Sequence, residues 1–213
     1  MNKIDRLIIT LIILSFWGPI KAQDKGDHLE PVGSIYDLYD FQLEYYSKVR
    51  KVLFKGLTDS PEIRFQVMPS FTPENVLDIE FNRDENKYYI VYHICEKTIW
   101  YNEKWDKTRV ETYKTEIDKE SVELIKSLFK VAIAKTKYPE EEIMGLDGVD
   151  YYFSINNWGL KSGTVWSPSD GTKMAKLVDI GFELIKLAKS KEVLVKIDKD
   201  LRIKIENLIQ EFK

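Results

Sequence analysis

The chain of 213 residues predicts an α+β fold, an antiparallel sheet with about four helices packed mainly on one face. Three features of the sequence carry this expectation. Apolar residues recur at three-to-four spacing in four separate segments, most with a recognisable start or stop signal. Elsewhere apolar and polar residues alternate, in adjacent segments joined by short turns, as half-buried strands do. The strict strand–helix–strand alternation of a nucleotide-binding fold is missing, because strands come in runs with helices grouped between and after them.

Taken in order, Ser34 is expected to cap a first helix in which Ile35, Leu38, Tyr39, Tyr45, Tyr46, Val49, Val52 and Leu53 form the apolar stripe, with Gly56 as its stop. Ile63, Phe65 and Val67 then alternate with polar neighbours, as do Leu77, Ile79 and Phe81, with Pro69 and Pro73 bracketing the connection. Tyr88 to Cys95 is apolar or aromatic on both faces and reads as a central strand. Arg109 to Ile117 is charged on both faces and reads as an edge strand, where charge discourages pairing with other chains. Asp118 caps a second helix with Val122, Ile125, Leu128, Phe129, Ala132 and Ile133 inward. Val149 to Ile155, a turn at Asn156-Asn157-Trp158-Gly159 and the return from Leu160 to Trp166 make a hairpin. A third helix starts near Gly171 with Leu177, Gly181 and Leu184 inward, and a fourth starts at the cap Asp198.

The first 22 residues read as an export signal: Lys3 and Arg6, then the uncharged run Leu7 to Phe16, then a break and the small residue Ala22 before the expected cut. The run is too short for a spanning helix, which needs about 20 apolar residues. The expected organisation is therefore a signal peptide (1–22), a polar, flexible lead-in (23–33) and a single α+β domain (34–213). The expected location is periplasmic or secreted, with no membrane anchor after cleavage. The chain carries 32 Lys and Arg against 35 Asp and Glu. Removing the leader's Lys3, Arg6, Lys21 and Asp5 leaves 29 against 34, a net charge of −5. Opposite charges are interspersed, which argues against nucleic acid as a partner. Cys95 is the only cysteine, so no internal disulfide holds the fold.

Several motifs invite a sharper reading. Ser127-Leu128-Phe129-Lys130, Ser154-Ile155-Asn156 and Lys161-Ser162-Gly163 match the three short signatures of penicillin-recognising enzymes in the right order. The predicted place of Ser127 in mid-helix, and the close spacing of the three, argue against them. His93 and Cys95 lie two apart on one strand and face the same way, and Cys95 is expected to be buried and inert. His28 stands apart from them, and no metal-ligand spacing or cofactor motif is present. Glu140-Glu141-Glu142, Asp147 and Asp150 form an acidic stretch beside Tyr151 and Tyr152. Asp147 and Asp150 are the candidates for acid and base chemistry if they converge on a cleft. Aromatic residues make up 13% of the chain, enough to leave some outside the core. Trp158, at the hairpin tip, and Tyr152 are the candidate binding residues, and Trp166 is expected to close the ribbon against the third helix.

The stretch LDGVDYYFSI followed by GLKSGTVWSPSDGTKMAKLVDIGFELIKLAKS, from Leu146 to Ser190, resembles the C-terminal part of small exported bacterial proteins of unassigned function, and the Ile20-Lys21-Ala22-Gln23 junction resembles signal ends of Bacteroidota. The resemblance implies an exported α+β domain and no activity. The reading that follows is an exported, non-catalytic binding or interaction module that meets a protein or glycan. A hydrolase using Asp147 and Asp150 is the alternative.

Overall fold

A computed structural model describes residues 27–34, 36, 38–139 and 147–213. The export signal and the run Glu140 to Glu142 lie outside the described residues. The strands are β1 (Glu30–Pro31), β2 (Ile63–Pro69), β3 (Asn75–Asn82), β4 (Lys87–Cys95), β5 (Val110–Ile117), β6 (Val149–Asn156), β7 (Leu160–Trp166) and β8 (Leu194–Val195). The helices are α1 (Asp40–Leu53), α2 (Lys119–Ala134), α3 (Lys173–Ala188) and α4 (Lys199–Glu211). All eight strands join one sheet in the order β1-β7-β6-β2-β3-β4-β5-β8. Every pairing is antiparallel except that of β5 with the two-residue β8. Class and helix number follow the sequence reading, and the two short edge strands enlarge the sheet.

Alternation decides what each face does. Ile63, Phe65 and Val67 of β2, Ile90 and Tyr92 of β4 and Phe153 and Ile155 of β6 point to one side, where they pack with α2, α3 and α4. Phe65 lies at the centre, with ring centroids 5.0 Å from Phe153 and 5.9 Å from Phe182. A Cβ at Gly181 would lie 2.5 Å from Cε1 of Phe65, so only glycine lets α3 settle this close to the sheet. Asp118, Thr172 and Asp198 cap α2, α3 and α4 by accepting the amides of Ser121, Ala175 and Leu201. The opposite face carries α1, with Val49 and Leu53 on Met68, Val76, Cys95 and Ile99, and Trp105 packs against the same cluster.

Four expectations are corrected. The residues before Ser34 are not all a loose lead-in, because Leu29 is fully buried and His28 nearly so, and β1 pairs with β7. Leu29 fills the space above Gly163, whose missing Cβ would sit 2.9 Å from Leu29 Cβ, and Asp27 Oδ1 accepts the amide of Met174 at the start of α3. The first helix begins at Asp40, not after Ser34. The Ser34 hydroxyl accepts the Tyr36 amide in a local turn, and Gln42 Oε1 accepts the Tyr39 amide at the true N-terminus. Trp166 does not meet α3. Val165 takes the inward position, so Trp166 shares the α1 side with Asp150, its register partner on β6. β5, expected at the edge, has β8 beyond it over Glu116 and Ile117.

Candidate functional site

The α1 side of the sheet holds the unusual chemistry. His93 and Cys95 do share a face, as their spacing requires, and both are buried beneath α1. The His93 Nδ1–H donates to the Leu53 carbonyl at 2.8 Å, satisfying an acceptor at the C-terminal end of the helix. Burial, and then the nearby Glu74 carboxylate, push the Cys95 thiol up to about 12, so the thiolate is scarce and the pair is structural.

Glu74 is completely buried and organises the neighbouring loop. Its carboxylate accepts the Ile99 amide at 2.9 and 3.0 Å, the Thr98 hydroxyl at 3.1 Å and the Tyr45 hydroxyl at 2.9 Å. A buried charge is costly unless so bonded. Here those bonds tie α1 to the loop after β4 and hold Trp100 and Tyr101 at the surface.

Around this clamp the β2–β3 loop, the loop after β4 and the N-terminal half of α1 present a cluster of rings. Tyr39 (71% exposed), Phe41 (57%), Phe71 (65%), Trp100 (45%) and Tyr101 (60%) all face water. Tyr39 stacks parallel to Phe41 at 5.8 Å, Phe41 meets Trp100 edge-on at 6.3 Å, Tyr45 meets Trp100 at 4.6 Å, and Phe71 stacks on Tyr101 at 6.3 Å. Contiguous exposed apolar area on this scale marks interaction surfaces. The sequence reading placed Tyr39 in a buried stripe and passed over the other four. Phe71, Trp100 and Tyr101 lie in turns, where packing demands no aromatic.

The line of rings continues inward to two of the predicted residues. Tyr45 lies 5.5 Å from Tyr46, and the Tyr46 and Tyr152 hydroxyls are 3.1 Å apart. Tyr152 is thus half-buried against α1, without the open ring a binding residue would offer. Asp150 shares its face. Burial first, and then the charge of Glu30, push its carboxyl up to about 6. The carboxylate acting on Asp150 is therefore Glu30 of β1. Asp147 is exposed in the loop before β6.

Trp158 occupies the opposite end of the sheet. Its side chain is fully exposed, and its backbone sits at φ 56° beside Gly159 at φ 106°, the left-handed pair that turns the hairpin. Beside this turn a polar cleft of about 410 Å³ is lined by residues including Thr58, Glu80, Arg83, Lys114 and Asn156. The Ser127, Ser154 and Lys161 matches fall apart in space. Ser127 is exposed on α2 and donates to the Glu123 carbonyl, while Ser154 lies on the other side of the sheet against Ser162. Among the described residues no group of three or more His, Cys, Asp and Glu is placed to hold a metal, and no helix is long and apolar enough to cross a membrane. Compared with models of known protein families, with curated proteins and with solved structures, the chain matches none.

Proposed function

We propose that the protein is an exported, non-catalytic binding module whose ligand is a glycan and whose contact surface is the aromatic end built from Tyr39, Phe41, Phe71, Trp100 and Tyr101. The observation that carries this reading is the exposure of five rings at one end of the sheet, in a Tyr39–Phe41–Trp100 chain and a Phe71–Tyr101 pair, beside the loop that the buried Glu74 holds in place. A rigid scaffold beneath exposed rings is how a binding site avoids paying ordering entropy at the moment of contact. The chemistry favours a sugar over a protein partner. The exposed large apolar residues gathered here are all aromatic, with no Leu, Ile or Val among them, whereas the core of a protein interface is packed like a protein interior. Flat rings with tyrosine hydroxyls at their edges suit a ligand with an apolar ring face and a hydroxyl rim. This moves the binding surface away from Trp158 and Tyr152, where the sequence placed it.

A glycan array of neutral and acidic oligosaccharides, probed with the mature protein and with Phe41→Ala and Trp100→Ala, tests the proposal. Retention of at least one glycan class is expected, with each substitution weakening it about tenfold or more, in line with the roughly 1–3 kcal/mol that one stacked aromatic ring contributes. No retention at all, or retention indifferent to both substitutions, contradicts it. Capture of a folded protein at the same rings would keep the surface and reject the glycan.

A further inference from the structure

The polar cleft at the Trp158 end has a chemistry of its own. We infer that it is a second binding site, for a hexuronate unit: a sugar ring carrying a carboxylate. The inference stands on the cleft's residues and not on the aromatic end.

Its volume of about 410 Å³ falls within the range of roughly 300–1,000 Å³ typical of small-molecule sites. What distinguishes it is an excess of unengaged donors. Arg83 forms no ion pair or hydrogen bond among the described residues, and Lys114 meets only the Tyr89 ring, 4.3 Å from its centroid. Asn82 uses its Oδ1 to accept the amides of Asp84 and Glu85, and Asn156 uses its Oδ1 on the Gly159 amide, so both side-chain NH2 groups remain to donate. The hydroxyl hydrogens of Thr58 and Ser60 are likewise unspent.

The acceptors are fewer and mostly taken. Glu62 is neutralised by Lys126 at 2.7 Å. Glu80 gives one oxygen to the Thr58 amide at 2.9 Å and keeps the other. Two cations with no acidic partner call for an anion. The one free carboxylate oxygen of Glu80 calls for a donor on the same ligand, which a compact anion without hydroxyls does not supply. A carboxylate for Arg83 and Lys114, together with hydroxyls that donate to Glu80 and accept from Asn82 and Asn156, satisfies the whole set. Trp158 stands two residues beyond Asn156, on the hairpin that borders the cleft, and offers an exposed ring to the apolar face of a sugar.

Calorimetric titration of the mature protein with D-glucuronate and D-galacturonate, against D-glucose and acetate as controls, tests this. A dissociation constant on the order of 1 mM for at least one uronate is expected, with both controls at least tenfold weaker. Arg83→Ala and Lys114→Ala, both changes at exposed side chains, should each weaken the uronate about tenfold through loss of a charge-assisted contact. Trp158→Ala should weaken it while leaving the melting temperature nearly unchanged. Trp100→Ala should leave uronate binding intact. The inference fails if neither uronate binds, if glucose or acetate binds as well as the uronate, or if the Arg83 and Lys114 variants bind normally. Loss of uronate binding in Trp100→Ala would place the ligand at the aromatic end and also reject the cleft.

Discussion

Asp150 sits in an environment that disfavours its charge. Its carboxylate is largely withdrawn from water and lies near the Glu30 carboxylate and the Tyr46 and Tyr152 side chains. The folded state therefore holds a proton there up to about pH 6, while an unfolded chain releases it near 3.8. For an acid raised in this way the folded state binds more protons, so its contribution to stability falls as pH rises through that window and returns on acidification. Thermal melts of the wild type and Asp150→Asn between pH 7 and 5 measure it. The difference in melting temperature between variant and wild type should shrink as the pH falls, because protonated Asp150 resembles the amide. A difference independent of pH would show that the carboxylate is not strained. The sequence grouped Asp150 with an acidic loop beside Tyr151 and Tyr152, and it lies at the start of β6. The identity of its charged neighbour was not legible, since Glu30 lies 120 residues away in sequence and reaches it only through β1.

At the scale of elements, caps and alternation were legible because they are local. Asp118 and Asp198 start their helices as their side chains require, and the alternating runs Ile63 to Val67 and Leu77 to Phe81 lie in β2 and β3. What was not local was missed. The two-residue β1 has no periodicity to read, and its polar flanks hide the fact that Leu29 completes the main core. Leu29→Ala should accordingly destabilise the protein by about 2–5 kcal/mol, the range for emptying a well-packed core site, measurable by urea denaturation. A change below about 0.5 kcal/mol would mean that the strap before α1 is only loosely attached. The N-terminus of α1 shows the same limit. Ser34 is a good cap by type, yet its hydroxyl is taken by the Tyr36 amide, so the helix waits for the Gln42 side chain to secure Tyr39.

Across the whole molecule, strand order gathers the site. β2 ends where β6 begins, with Pro69 opposite Val149, and β3 begins where β4 ends, with Asn75 opposite Ile94. The β2–β3 loop, the loop after β4 and the start of α1 therefore meet at one end of the sheet, while the β6–β7 hairpin and the tip of β3 meet at the other. Aromatics scattered at 39, 41, 71, 100 and 101 become one surface only through this topology, which no single segment announces. The most direct test of that surface as the ligand face is hydrogen–deuterium exchange of the protein with and without an oligosaccharide that the array retains. Slower exchange in residues 39–46, 70–74 and 97–102, with the rest of the chain unchanged, is the predicted result. Protection confined to other segments, with these three unaffected, would contradict it.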